Sequence, residues 1–232
     1  MHGMHFLKYV LKRTLHYFGY SLIRNSTALD FVRWANDSDF QYVYGKVKSR
    51  TLLSVDRLYV LWETARAIKA ISGDVAQVGV FRGGSAELIA EAFRGNGRTV
   101  HLFDTFAGMP KVDHAIDMHQ EGDFALTSLE EVKANLREYN NINFYPGTFP
   151  ETAITIRDNR FAFVYIDVDI YQSTKASLEF FYPRLVRGGF MIIDDYRGKN
   201  TPGVEKALRE FLHDKPEIPI VTTIAQCLVI KQ

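Results

Sequence analysis

From residue 73 onward, short apolar runs alternate with longer segments whose apolar positions recur every three or four residues. The runs predict strands at 75–80, 99–103, 142–145, 161–166, 190–193, 218–223 and 226–230. The longer segments predict helices at 86–93, 128–139, 151–157, 173–181 and 202–212. Upstream, residues 51–72 carry Leu52, Leu53, Val55, Leu58, Val60, Leu61, Ala65, Ile68 and Ile71. They read as a helix stopped by Gly73. Residues 5–24 set Lys8, Lys12, Arg13 and Arg24 among Phe6, Leu7, Tyr9, Val10, Leu11, Leu15 and Phe18, a basic amphipathic helix. It would pack on the domain or a second subunit, or else lie on a membrane surface. Residues 25–50 have no clear period and receive no assignment. Alternating strands and helices predict an α/β domain over 51–232, a mostly parallel sheet covered by helices on both faces. Residues 1–50 would form a helical extension. The last two strands are too close together for a crossover helix, so they should form a hairpin with one antiparallel strand.

Composition narrows the class. At 232 residues, 47% hydrophobic and 24% charged, the chain has the size of one large single-core domain. A net charge of +1 provides no field that would favour nucleic acid. The single cysteine, Cys227, excludes an intramolecular disulfide framework and a cysteine-based zinc site, and it reads as a small buried hydrophobe. No apolar run reaches the ~20 residues of a membrane span, and no signal-peptide pattern is present. A cytoplasmic location is expected.

The chemistry gathers at strand ends. Phe161 to Ile166 is a continuous apolar run, as in a strand buried on both faces, and it ends in Asp167 and Asp169. The run Phe190-Met191-Ile192-Ile193 ends in Asp194 and Asp195. Ligands of open α/β sheets bind outside the carboxyl ends of the strands. Four carboxylates at one rim repel unless a cation or a shared proton relieves them, and a hard divalent metal is the simplest relief.

Gly79-Val80-Phe81-Arg82-Gly83-Gly84-Ser85 lies between the first strand and its helix, where backbone N–H groups could meet an anion or carboxylate. Its spacing is neither that of dinucleotide folds nor that of a P-loop, and a purely structural turn accounts for it equally well. The next strand ends in Asp104, about twenty residues on, where a carboxylate can accept hydrogen bonds from ribose hydroxyls; an N-cap or turn aspartate is the alternative. Together, the turn, the acid and the later cluster describe a nucleoside-type cofactor beside a divalent metal.

The segments VGVFRGGSA (78–86), HLFDTFAGMP (101–110), GTFPET (147–152), YIDVDIYQST (165–174), GGFMIIDDY (188–196) and PGVEKAL (202–208) resemble the macrocin O-methyltransferases. These are S-adenosylmethionine-dependent sugar methyltransferases, and the resemblance runs in order from about residue 51 to the end of the chain. It implies the Rossmann-like class I methyltransferase fold, seven strands with a reversed last strand. It also implies that Gly79, Gly83 and Ser85 line the methionine part of the cofactor. Asp104 would bind the ribose with Thr105 beside it, and Gly147 and Thr148 would lie toward the adenine. Asp167, Asp194 and Asp195 match the magnesium ligands, and Asp169 matches a position proposed as general base. Gln77 stands where the family commonly has a cofactor-contacting Glu.

The implied reaction is transfer of a methyl group to a sugar hydroxyl of a glycoside or saccharide. Mg²⁺ on Asp167, Asp194 and Asp195 would orient and acidify vicinal hydroxyls, and Asp169 would accept the proton. Residues 107–127, with His114 and His119, are read as a lid or acceptor wall whose histidines are solvated. The family also implies a homo-oligomer. Two other readings stay open: a D-x-D glycosyltransferase using Asp167 and Asp169, and a methyltransferase-like domain kept for assembly alone.

Overall fold

The computed structural model describes Thr14, residues 32–223 and residues 225–232. The basic helix expected at 5–24 lies outside the described residues, Thr14 excepted. Two compact units divide the chain, Met1–Gln41 and Tyr42–Gln232. Residues 33–47, in the stretch without a sequence assignment, hold helices α1 (Arg33–Asn36) and α2 (Ser38–Val47).

Among the described residues, the second unit is built on a seven-stranded sheet in the order β3-β2-β1-β4-β5-β7-β6. The strands are β1 (Asp74–Val78), β2 (Val100–Asp104), β3 (Ile142–Pro146), β4 (Phe161–Ile166), β5 (Leu185–Asp194), β6 (Ile220–Thr223) and β7 (Gln226–Ile230). The first five pair in parallel, and β7 runs antiparallel to both β5 and β6, as the closing hairpin predicts. Helices α3 (Val55–Ala67), α4 (Gly84–Ala92), α5 (Leu129–Asn135), α6 (Tyr171–Phe181) and α7 (Pro202–Leu212) cover it. No helix among the described residues is long and apolar enough to cross a membrane.

Strand β4 lies in the middle of the sheet, between β1 and β5, and all six of its residues are buried on both faces, which is why its sequence does not alternate. Around it Phe103, Phe149, Phe161 and Phe181 interlock, with ring centroids 5.1–6.1 Å apart. Each such ring contributes roughly 1.5–3 kcal/mol through burial. Helix α7 buries Val204, Ala207, Leu208 and Leu212, the apolar stripe expected of a surface helix.

Several boundaries differ from the periodicity. The helix expected at 51–72 occupies only 55–67, because Arg50 O is taken by Gly84 N at 3.2 Å and Thr51 Oγ1 by Leu53 N at 3.1 Å. Those bonds hold 51–54 extended. The segment expected as helix at 151–157 is a 3₁₀ turn (Glu151–Ile156), and α5 stops four residues short of Tyr139. Strand β5 starts at Leu185, which pairs with Phe161 of β4, and Gly188-Gly189 then pairs with Lys231 to extend the ladder.

Candidate active site

Strand register decides what meets at the carboxyl rim. Val78 pairs with Ile166, and Ile166 with Ile193, so Asp167 follows one strand exactly as Asp194 ends its neighbour. Carboxylate oxygens of Asp167, Asp194 and Asp195 lie within 4.8 Å of one another. Three hard oxygen donors at this spacing fit a magnesium-class cation.

Residues distant in sequence fix these donors. The buried Tyr165 hydroxyl lies 2.6 Å from Asp194 Oδ2 and 3.2 Å from Asp167 Oδ2 and shares its proton between them. Gln226, opposite Asp194 in the β5–β7 register, donates Nε2–H to Asp194 Oδ2 at 2.9 Å. Arg57 of α3 pairs with Asp194 and reaches Asp195 Oδ1 at 3.3 Å. Burial opposes the charge on Arg57, but Asp194 and Asp195 outweigh it and keep the guanidinium protonated. One guanidinium against four carboxylates leaves the rim formally at −3 when all four are ionised. Accordingly burial, and then mutual repulsion, pushes Asp167 and Asp169 well up from the carboxylate range, and Asp194 up as well against the pull of Arg57. Asp169 lies against Asp195, and both occupy the left-handed backbone region, at φ of 60° and 59°.

The glycine turn adjoins this rim. Gly79 N donates to Phe103 O and Asp167 N to Val78 O, both at 2.9 Å, so the ends of β1, β2 and β4 lie side by side. A Cβ on Gly79 would sit 1.7 Å from Asp167 O. Its glycine is therefore required by the close approach of β4. Asp104 Oδ2 accepts from Val80 N at 2.6 Å and Phe81 N at 2.9 Å, and Oδ1 from Phe106 N at 2.7 Å. This carboxylate holds the turn in shape as well as facing the cavity.

A cavity runs from Gly147, Thr148 and Phe149 at the end of β3, past Phe103, Asp104 and Thr105, to Gly79, Ser85 and the rim acids Asp167, Asp169 and Asp195. Of the residues expected to bind the cofactor, Gly79, Ser85, Asp104, Thr105, Gly147 and Thr148 line it, whereas Gln77 and Gly83 do not. Gln77 is fully buried behind the turn, donating 2.7 Å bonds to Gly79 O and Ser85 Oγ. Its Oε1 has no partner among the described residues. Gly83 is the left-handed N-cap of α4, at φ 84°.

The long connection after β2 closes one side. Met109 N bonds Asp123 O at 2.7 Å and Gly122 N bonds Met109 O at 2.9 Å, which cross-braces it. Buried Asp117 accepts from Tyr171 N at 3.0 Å and thereby ties it to the start of α6. Phe124 and Thr127 reach the cavity. His119, expected to be solvated, is instead largely covered, with Nδ1 3.0 Å from Asp123 Oδ2 and Nε2 3.9 Å from Asp169 Oδ1.

Arg57, Tyr165 and Gln226 were not found by reading the sequence, and His119 was read only as a solvated residue of the lid or acceptor wall. A lone basic residue between the apolar Val55 and Leu58 was the available signal for Arg57, but its partner lies 137 residues away. Tyr165, a phenol inside an apolar strand two residues before an acid, was the clearest sign among the four.

Residues 35–227 match the family model for macrocin O-methyltransferase (TylF). The chain belongs to this family of O-methyltransferases. It is 36% identical over 177 residues to the 8-demethyl-8-(2,3-dimethoxy-α-L-rhamnosyl)-tetracenomycin-C 4′-O-methyltransferase of Streptomyces olivaceus, covering 70% of this chain and 65% of that enzyme. With the mycinamicin III 3″-O-methyltransferase of Micromonospora griseorubida it shares 33% over 224 residues, 87% of this chain and 86% of the other. Among solved structures, the O-methyltransferase NovP superposes with a TM-score of 0.71 at 27% identity, over 79% of this chain and 82% of NovP. The reversed strand β7 is thus the family arrangement.

Proposed function

We propose that this protein is an S-adenosylmethionine-dependent O-methyltransferase acting on a hydroxyl of a sugar or glycoside, assisted by Mg²⁺. The observation that carries the reading is the convergence of Asp167, Asp194 and Asp195 at the end of a cavity floored by the β1 turn. In this reading the methyltransferase domain spans 51–232. The rhamnosyl group in the name of the similar Streptomyces olivaceus enzyme supports the acceptor class.

The cavity suits the donor by its gradient. Phe103, Phe149 and Thr148 offer an apolar slot for a purine, and the opposite end is rich in carboxylates that attract a sulfonium. S-adenosylmethionine supplies the electrophilic methyl group. Mg²⁺ held by Asp167, Asp194 and Asp195 would supply a hard cationic anchor that lowers the pKa of a bound hydroxyl.

The chain's own residues do the rest. Asp104 holds the Val80 and Phe81 amides and so fixes the turn on which the donor rests. Tyr165, Gln226 and Arg57 hold the acids in one geometry, which preserves the placement of the acceptor oxygen about 3 Å from the methyl carbon. Asp169, on the cavity wall beside Asp195, takes the hydroxyl proton as the O–C bond forms and the C–S bond breaks. A glycosyltransferase reading gives the β1 turn and Asp104 no shared task with the rim.

Calorimetric titration of S-adenosylhomocysteine, with and without Mg²⁺, tests this against wild type and Asp167→Asn. We expect micromolar binding to both proteins, with a Mg²⁺ effect in wild type alone. Absence of binding to wild type with and without metal would refute the methyltransferase reading.

A further inference from the structure

We infer that Arg50 and Ser85 form an anion subsite that grips the amino-acid carboxylate of the donor, with Gln77 as the positioning residue that turns the Ser85 hydroxyl hydrogen into the cavity. The inference rests on the methyltransferase reading above. It adds a cation, a hydrogen-bond donor and the sign of the charge they select.

The hydrogen-bond directions follow from the neighbours. A backbone carbonyl only accepts, so the Gln77 atom 2.7 Å from Gly79 O is the amide nitrogen. The second hydrogen of that nitrogen goes to Ser85 Oγ, also at 2.7 Å. Ser85 is therefore an acceptor on its Gln77 side, and its own hydroxyl hydrogen has no acceptor among the described residues. The residue is only 5% exposed, yet it lines the cavity. A buried donor left unused costs free energy that a bound acceptor relieves. Ser85 thus asks for an acceptor, not for a donor such as an ammonium.

Arg50 supplies the charge. Of the described residues that line the cavity, two are cationic, Arg50 and Arg57. Arg57 is taken up by Asp194 and Asp195 at the rim. Arg50 lies on the other side, beside Ser85, where its carbonyl accepts from Gly84 N at 3.2 Å. Its guanidinium is anchored through Nη2 alone, to Lys46 O at 2.9 Å and to buried Glu87 in the first turn of α4. Glu87 is shared with Lys46 Nζ at 3.5 Å, so the arginine is not its sole partner. Nε and Nη1 have no acceptor among the described residues, which leaves the planar fork free to bind a carboxylate. The positive end of the α4 dipole points to the same place.

Calorimetric titration of S-adenosylhomocysteine and of its decarboxylated analogue, 5′-S-(3-aminopropyl)-5′-thioadenosine, tests the subsite without turnover. Wild type should bind S-adenosylhomocysteine roughly tenfold or more tightly than the analogue. Arg50→Gln should lower S-adenosylhomocysteine affinity roughly 10- to 100-fold, the worth of a charge-assisted hydrogen bond, and leave the analogue unchanged. Arg50→Lys, which keeps the charge, should recover part of the loss.

Ser85→Ala and Gln77→Met leave the Arg50–Glu87 pair intact, so they remain informative if Arg50→Gln does not fold. Each should weaken S-adenosylhomocysteine roughly 3- to 10-fold, with the analogue unchanged. Gln77 does not line the cavity, so its variant reports on the direction of the Ser85 hydroxyl. Equal affinity of wild type for the two compounds overturns the inference. Unchanged S-adenosylhomocysteine affinity in the variants overturns it as well, and so does an equal loss of both compounds, the mark of a structural role. All three results leave the methyltransferase reading standing. Binding of neither compound to wild type refutes that reading, and the inference with it.

Discussion

Asp104 illustrates how one side chain can serve both fold and ligand. Three backbone N–H groups converge on its two oxygens, all within 2.6–2.9 Å. Hydrogen bonds to a charged acceptor are worth about 1.5–3 kcal/mol each. In Asp104→Asn an NH₂ group faces at least one of those donors, so the β1 turn loosens. S-adenosylhomocysteine affinity should fall at least tenfold by calorimetry, with a lower melting temperature. Unchanged values in both would remove Asp104 from the turn. Cys227 gives a second residue-scale prediction. It is fully buried in β7, and burial pushes its thiol up to about 12. Native protein at pH 8 should react with a thiol reagent only at the rate of unfolding; rapid labelling would contradict the burial.

At the scale of elements, Asp74 connects three of them. It begins β1, lies 3.2 Å from His101 Nε2 of β2, and accepts from Asn159, just before β4, at 2.9 Å. Burial pushes its carboxyl up, but the bonds from His101 and Asn159 outweigh that and hold it below the ordinary range. A carboxyl lowered in the folded state stabilises above its unfolded value, and that stability is lost as pH falls through the folded one. Asp74→Asn should therefore be less stable than wild type at neutral pH, and the difference should shrink below about pH 4. Denaturant titrations at pH 7 and pH 3 check the sign. The boundary of α3 belongs to the same scale. Periodicity placed its start at residue 51, but Gly84 N captures Arg50 O and residues 51–53 become cavity wall. Apolar spacing records which residues are covered, not which backbone carbonyl a distant amide will take.

For the whole molecule, the unbalanced charge at the rim couples metal to stability. Holding several buried carboxylates together costs free energy that a bound cation relieves, and a ligand of the native state stabilises by mass action. Millimolar Mg²⁺ should raise the melting temperature of wild type by a few degrees, and a chelator should reverse it. Asp167→Asn should respond far less. An identical response in the variant would place the cation elsewhere.

The sequence by itself determined the element order, the parallel sheet with its closing hairpin, and the cluster of aspartates at two strand ends. Those features follow from local rules: fully buried strands are continuous apolar runs, helices repeat at 3.6, and a hairpin needs little chain. The bounds of β4 and of α7 were read to the residue for this reason. Tertiary structure alone decided which groups surround the aspartates. Tyr165, Gln226 and Arg57 reach Asp194 only through strand register and helix packing. His119 reaches Asp169 only because Asp117 and Asp123 pin the long connection. Periodicity carries no information about contacts between residues 29 to 137 positions apart, and those contacts set the charge and spacing on which the chemistry depends.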